Sequence, residues 1–371
     1  MNTLGIYLHI PFCRARCAYC DFASGTDFSR EAAFFRALER EAEAVSSAFS
    51  GRRVDTVYFG GGTPSAADPQ RLCALLGRLR ALFELTPDCE ISMECNPGTI
   101  TARGAEQYLK AGFNRFSVGL QTAHDGTLRR LGRIHTAAEG EEAVRLLRAA
   151  GGGNLSADLM LGLPGEGVKE VRQSAEWALG LGIDHLSAYA LTVEEGTPLA
   201  REGVTVDDDL AADCYDEVCR LAEGAGLFRY EVSNFARPGF ECRHNRRYWD
   251  LSDYLGLGPS AHSLIGRRRF FHGSSFSGYL RDPLAVEEEE ELTEAEAERE
   301  YLMLALRTAR GVDLGRYGAD FGDFSARYAG VLARYAGFLE AGPGFVRIRP
   351  DKFYVMNALI AAFWEAGEAG R

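Results

Sequence analysis

The sequence predicts an α/β chain: parallel strands with crossover helices rolled into a wide or incomplete barrel, then a small, mainly helical, winged-helix-like domain. Three observations carry this. From the start to about residue 235, short strand-like runs alternate with longer helical ones, and such alternation calls for a parallel sheet with crossover connections. The strand-like runs are two-faced, whereas a parallel strand covered on both sides reads as a continuous apolar run. Beyond residue 285 the alternation gives way to helical patterns and one short hairpin.

The first strand runs from Leu4 to Ile10, and Pro11 ends it. Phe35, Leu38, Ala42, Val45 and Phe49 then form an apolar stripe at helical spacing. After a strand over 54–59, Asp68-Pro69 supplies an N-cap and a first-turn proline for a helix carrying Leu72, Leu75, Leu79 and Leu82. The later strands show their two faces plainly. Glu90, Ser92 and Glu94 oppose Ile91, Met93 and Cys95. Arg115, Ser117, Gly119 and Gln121 oppose Phe116, Val118 and Leu120. Ser156, Asp158 and Met160 oppose Leu155, Ala157 and Leu159, and His185, Ser187 and Tyr189 share one side of the next strand. The apolar faces must meet the helices, so the polar faces line a shared interior that something polar occupies. A barrel packed with branched side chains would not read this way.

Directly after the first strand comes Cys13-Arg-Ala-Arg-Cys17-Ala-Tyr-Cys20, a C-x3-C-x2-C spacing in an irregular loop. Thiolates on such a loop can converge on one centre, and soft sulfur ligands suit zinc or iron–sulfur clusters. Zinc wants a fourth ligand and usually takes paired C-x2-C units. A four-iron cluster normally takes four cysteines, so three would leave one iron open. Gly60-Gly61-Gly62-Thr63-Pro64 closes the following strand, where glycines let backbone N–H groups approach a ligand closely.

The cysteine motif, with an aromatic residue before its last cysteine, resembles the radical S-adenosylmethionine (radical-SAM) superfamily. The wider string HIPFC-x3-C-x-Y-C is similar to its coproporphyrinogen-dehydrogenase-like branch. The resemblance implies a partial (β/α)6 barrel, in agreement with the two-faced strands. It implies that Cys13, Cys17 and Cys20 hold a [4Fe–4S] cluster whose open iron is chelated by S-adenosylmethionine. An electron from the cluster could then cleave that cofactor to a 5′-deoxyadenosyl radical. Carried over residue by residue, Tyr7 and Tyr19 flank the cysteines where the family contacts the cofactor. Gly61, Gly62 and Thr63 match the motif that receives its amino group, and Glu94, Gln121, Arg133 and Asp158 match the remaining cofactor positions. His124 and His135 are expected to cap or to face solvent.

Residues 236–285 form a Gly-, Arg- and aromatic-rich segment between the expected barrel (1–235) and the C-terminal helical domain (286–371). Cys242-Arg-His244-Asn245-Arg-Arg-Tyr248-Trp249 is followed by Leu255-Gly-Leu-Gly-Pro-Ser-Ala-His262 and by Arg267-Arg268-Arg269. Histidine or cysteine can ligate haem iron, aromatics can stack on a porphyrin, and arginines can pair with propionates. H-N-x-x-Y-W followed by Y-L-G-x-G-x-x-A-H resembles the haem chaperone branch of the family (HemW type). That resemblance implies haem binding at His244, Asn245, Tyr248 and Trp249 and delivery to haem-dependent, especially respiratory, proteins. The axial ligand is left open among His244, Cys242 and His262. The porphyrinogen-oxidising branch carries a further cysteine where this chain has Phe22, and a longer N-terminal extension; both departures count against that activity. The alternatives are an oxygen-independent coproporphyrinogen III oxidase, a radical-SAM methyltransferase and a zinc-binding scaffold. Radical chemistry would also need an electron donor such as a flavodoxin or ferredoxin.

Composition narrows the classes. The 371 residues are 46% hydrophobic, ample for a sizeable core and two unequal domains. Lys+Arg 41 against Asp+Glu 53 gives −12, which argues against nonspecific nucleic-acid binding, including by the winged-helix-like domain. No apolar run approaches the roughly 18 residues of a membrane span, and no signal peptide is read, so a reducing cytoplasm is expected for the nine cysteines. Cys73, Cys89, Cys95, Cys214 and Cys219 read as small core hydrophobes. Glu287 to Glu291 reads as a solvated linker, Thr293-Glu-Ala-Glu296 as a helix-opening capping box, and 344–354 as the hairpin.

Overall fold

The structure is a computed structural model that describes residues 3–369. Six parallel strands lie side by side in chain order: β1 (Leu4–Ile10), β2 (Arg53–Gly61), β3 (Glu84–Cys95), β4 (Arg115–Gln121), β5 (Leu155–Leu161) and β6 (His185–Ala190). The crossovers are α1 (Glu31–Ser46), α2 (Pro69–Leu82), α3 (Ala102–Ala111), α4 (Asp125–Arg130) with α5 (Ala137–Ala149), and α6 (Val168–Gly180). After β6 come α7 (Pro198–Arg201) and α8 (Asp208–Gly224), and β7 (Phe228–Arg229) with β8 (Asn234–Ala236) ends that side of the sheet antiparallel.

The chain then crosses to the opposite edge. A short helix, α9 (Arg243–Trp249), leads to β9 (Tyr254–Leu257), which runs parallel to β1. Antiparallel β10 (His262–Ile265), β11 (Arg268–Phe271) and β12 (Glu288–Glu291) continue outward, with α10 (Phe276–Arg281) before the last of them. The two ends of this sheet, β12 and β7, are not paired, so the barrel stays open. The expected α/β class with an incomplete barrel is the observed one. Strand parity explains it: Leu4, Ile6, Leu8 and Ile10 are wholly buried in the core under the helices, while Gly5, Tyr7 and His9 alternate with them. Leu255, Leu257 and Tyr279 join this same core, so residues 236–285 pack as part of the barrel sheet.

A second core gathers Tyr301, Leu302, Tyr317, Phe324, Tyr328 and Phe363 around a three-stranded sheet. Its elements are α11 (Glu294–Ala305), β13 (Val312–Asp313), α12 (Leu314–Asp320), α13 (Phe324–Arg327), α14 (Ala329–Arg334), β14 (Leu339–Gly342), β15 (Phe345–Ile348) and α15 (Met356–Ala369). This is a winged-helix-like order, opened by the expected Thr293/Glu296 capping box. Among the described residues, no helix is long and apolar enough to cross a membrane.

Three local expectations are corrected. The glutamate run is the edge strand β12, held by cross-strand pairs of Glu289 with Arg268 (2.6 Å) and Glu290 with Arg269 (3.1 Å). The hairpin is β14–β15; Gly344, at φ +88°, is its turn, and Pro350 opens a 3₁₀ turn after it. His135 is buried, 4% exposed, with its imidazole on the Leu120 carbonyl at 3.4 Å.

Candidate functional site

The site is assembled where β1 and β2 end. Phe12 anchors the root of the cysteine loop, stacked on Phe28 (5.2 Å) and edge-on to Phe34 (5.3 Å). The Cys13 N–H donates to the Gly25 carbonyl at 2.9 Å, and the Ala18 N–H to the Leu131 carbonyl at 2.8 Å. The glycine run lies directly on this root: the Gly62 and Thr63 N–H groups donate to the Ile10 and Phe12 carbonyls at 2.9 and 2.7 Å. A Cβ on Gly62 would stand 2.8–2.9 Å from backbone atoms of Ile10 and Phe12, so only glycine permits the approach.

Cys13, Cys17 and Cys20 line one cavity of about 360 Å³ together with the inward polar faces of β3 to β6. Cys13 Sγ lies 3.5 Å from Thr63 Oγ1, and Arg133 donates to Cys17 Sγ at 3.6 Å and to the Gly119 carbonyl at 2.6 Å. Burial raises the Cys20 thiol. Among the described residues, no set of three His, Cys, Asp or Glu side chains stands close enough to hold a single metal ion. Tyr19 faces the same cavity beside Arg133 and Cys17, and burial raises its phenol. Tyr7 does not reach it. Its hydroxyl is 3.2 Å from His9 Nδ1, and it lines a neighbouring cavity instead.

Two carboxylates face the thiols across the lumen. Glu94 accepts from the Tyr58 hydroxyl at 2.9 Å and from the Gly61 N–H at 3.1 Å. Burial, with a smaller contribution from Asp158, pushes it up to about 7 against the lowering effect of Tyr58. Asp158 accepts from Ser117 Oγ at 2.8 and 3.1 Å, and burial raises it too. Gln121 takes a hydroxyl hydrogen bond from Tyr189 at 3.1 Å and sits at φ +69°, where the β4–β5 register shifts. That backbone is unusual for a residue with a side chain and costs about 1 kcal/mol or more, consistent with an amide aimed into a cavity. Arg115, 3% exposed, also lines the lumen, with no hydrogen bond or ion pair of its guanidinium among the described residues. Asn96 and Asn234 are lumen contacts that the strand reading did not single out, and Tyr58 is another. The signal is nonetheless in the chain, because Thr56, Tyr58 and Gly60 alternate with Val57 and Phe59 as the other strands do.

A half-buried carboxyl held near neutrality gives a pH test. Between its ordinary 4.5 and about 7 the folded protein holds a proton on Glu94 that the unfolded chain has lost, so this group lowers stability as pH rises through that window. A cationic ligand that needs the carboxylate must expel the proton. If S-adenosylmethionine sits here, as the motif resemblance implies, its affinity is expected to fall about tenfold from pH 8 to pH 6. Titration calorimetry at both pH values checks this, and Glu94→Gln should flatten the dependence. Equal affinities at the two pH values would remove Glu94 from the contact.

The H-N-x-x-Y-W residues do not form one surface. They lie on α9, which packs at the opposite end of the barrel against Asp55 and Thr56 of β2 and Glu90 of β3. The Glu90 carboxylate accepts the Arg243 and His244 N–H groups, each at 3.0 Å. His244 is fully buried; its Nδ1 is 2.9 Å from Thr56 Oγ1 and its Nε2 is 2.9 Å from the Tyr248 hydroxyl, with the ring stacked on Tyr58 at 5.1 Å. Burial and then Arg247 lower its pKa to about 3. Asn245 lines the cavity of the three thiols, Tyr248 meets Tyr254 edge-on at 4.8 Å, and Trp249 lines a cleft beside Phe228 and Arg310. His244 and Tyr248, four positions apart, share one helix face and bond each other, whereas Asn245 and Trp249 are each turned about 100° from the residue before them and line two different cavities. Arg268 and Arg269 are paired with Glu289, Glu290 and Glu300, which removes the expectation that they stand free for propionates.

The model of the radical SAM superfamily matches residues 7–178. Heme chaperone HemW of Mycobacterium tuberculosis is 38% identical over 330 residues, 85% of each chain. Heme chaperone HemW of Escherichia coli is 38% identical over 269 residues, 71% of each chain. Coproporphyrinogen III oxidase (HemN) from Escherichia coli shares the fold at a TM-score of 0.85, with 22% identity, covering 98% of this chain and 90% of that one. The superfamily works with a [4Fe–4S] cluster and S-adenosylmethionine. Three thiols on one cavity wall, facing two half-buried carboxylates and a glycine-rich strand end, fit that pair. From the cysteine loop to the H-N-x-x-Y-W helix, the chain belongs to the heme chaperone HemW family of radical SAM proteins.

Proposed function

We propose that this protein is a cytoplasmic haem chaperone that binds haem and passes it to haem-dependent apoproteins, respiratory ones foremost. The observation that carries this is the likeness to proteins named heme chaperones over 85% of both chains. The position of Phe22 adds support: the residue standing where the porphyrinogen-oxidising branch has a cysteine is 62% exposed, at the edge of the cluster cavity.

In this reading Cys13, Cys17 and Cys20 hold the cluster, and Arg133 steadies the Cys17 thiolate. Glu94, Asp158 and Gln121 receive the charged and hydroxyl groups of S-adenosylmethionine, with Gly61, Gly62 and Thr63 offering backbone and hydroxyl contacts and Tyr19 covering the cluster side. Bound together, cluster and cofactor would supply one-electron reductive chemistry, with a ferredoxin or flavodoxin as donor. This chain's own residues bind, orient and exclude water. Tyr58 and Gly61 hold the Glu94 carboxyl, and Ser117 holds Asp158.

An anaerobic haem titration of the cluster-loaded protein, followed by absorbance, tests the reading. Saturable binding near one haem per chain is expected, as is transfer to an apo-haem protein on mixing. No saturable binding, together with anaerobic conversion of coproporphyrinogen III and release of 5′-deoxyadenosine, would replace the chaperone with a porphyrinogen oxidase.

A further inference from the structure

The 236–285 segment holds four thiol or imidazole side chains, Cys242, His244, His262 and His272, and among the described residues only His262 has its ligand atoms free. The two ring nitrogens of His272 are held by Glu41 at 2.8 Å and by the Ala285 carbonyl at 2.9 Å. Both ring nitrogens of His244 are engaged at 2.9 Å. The Cys242 thiol is 1% exposed, takes the Asn245 N–H at 3.5 Å and lies 3.6 Å from Glu90 Oε1; burial pushes it up to about 12, so it stays protonated. His262 is exposed, stacked on Phe271 at 4.7 Å, and its ring nitrogens make no hydrogen bond among the described residues.

His262 opens on a cavity of about 500 Å³, within the size range of small-molecule sites. Tyr7, Tyr248 and Tyr254 wall it on the barrel side, and Asp21 and Phe22 wall it from the cysteine loop. Gly61, Phe22 and Glu94 line both this cavity and the one that holds the three thiols, so the two adjoin. Aromatic faces suit a flat, apolar ring system. Phe22, a large apolar side chain left 62% exposed, stands between the two cavities.

The imidazole is presented on a rigid base. Ser260 is held at φ +60° with its N–H shared between the His272 and Gly273 carbonyls at 3.0 and 3.2 Å. The His272 N–H returns to the Ala261 carbonyl at 3.1 Å. His272 is itself clamped between Glu41 (2.8 Å) and the Ala285 carbonyl (2.9 Å). A left-handed backbone at a residue with a side chain is strained, and such backbone concentrates where a neighbouring side chain must be aimed.

We infer that haem binds in this cavity, beside the cysteine loop, with the imidazole of His262 as its axial ligand. The inference rests on the haem chaperone reading and deepens it. The neutral ring donates a lone pair to the iron and displaces a water; no electron is transferred in the step. His244 then acts as a structural residue at the closed end of the barrel.

The test is an anaerobic titration with haem of cluster-loaded wild-type, His262→Gly and His244→Gln proteins, with electron paramagnetic resonance of the ferric haem. His262→Gly should weaken haem binding about tenfold or more, shift the Soret band and change the spin state. Added imidazole should restore the wild-type spectrum, while iron and sulfide content stay at the wild-type level. His244→Gln, if it folds, should keep the wild-type haem spectrum. An unchanged spectrum in His262→Gly would overturn the site while leaving the chaperone reading standing. Absence of saturable haem binding by the wild-type protein would overturn both.

Discussion

Cys17→Ala is expected to emerge from anaerobic reconstitution with iron and sulfide at background level. Two thiolates cannot hold a four-iron cluster that three normally bind with one iron open. Cys17 is the most informative of the three positions. Its Sγ is the one Arg133 reaches, at 3.6 Å, and it lies in the middle of the motif. The loop around it is tied down independently, by the Ala18 N–H to Leu131 and by the Leu199 N–H to the Ala18 carbonyl at 3.0 Å. Truncating a half-buried thiol to a methyl group costs about 1 kcal/mol in packing, so the apoprotein should melt close to wild-type apoprotein. Iron, sulfide and the charge-transfer absorbance are the readouts. Wild-type iron and sulfide in the variant would sink the assignment of the cluster to this loop.

Arg247→Met is expected to cost about 3 kcal/mol of stability, a figure already lowered for the partial exposure of Asp55. Arg247 is 6% exposed and holds α9 across the closed end of the barrel. Its guanidinium donates to Thr56 Oγ1 (3.0 Å), Thr3 Oγ1 (2.9 Å) and the Asp253 carbonyl (3.0 Å), and it forms a close ion pair with Asp55. Methionine fills much of the volume but satisfies none of these oxygens. Gly5 records how tightly the arginine passes: a Cβ there would stand 2.6 Å from Arg247 Cδ. Thermal unfolding of the cluster-loaded protein checks the expectation, and an unchanged Tm would show that α9 is held without Arg247, by contacts such as those of Glu90 with the Arg243 and His244 N–H groups. His244 lies one turn before Arg247 on the same helix, so this variant should also loosen the His244–Thr56 contact without touching His262.

The barrel was legible because its signal is local and repeated. Each strand's parity separates a helix-facing set such as Phe116, Val118 and Leu120 from a lumen set such as Arg115, Ser117 and Gln121. One register slip would exchange the two, so the pattern survives only one arrangement. Alternation alone therefore assigns Glu94, Gln121 and Asp158 inward, and they line one cavity. The edge strand β12 was not legible, because four consecutive glutamates carry no β signal of their own. Arg268 and Arg269 opposite them make it a strand.

The segment around His244 shows the limit most clearly. Along the chain, a thiol, an imidazole and two aromatics within eight residues look like one binding face. On α9 they are distributed around a helix, and His244 is claimed by Thr56, 188 positions away. Spacing and alternation decide which residues can meet a ligand, since they follow from bond geometry within a few residues. Whether a ligand atom is free depends on hydrogen-bond partners brought from remote strands, and this is why spacing left His244, Cys242 and His262 as equal candidates while, among the described residues, the structure leaves the ring nitrogens of His262 free.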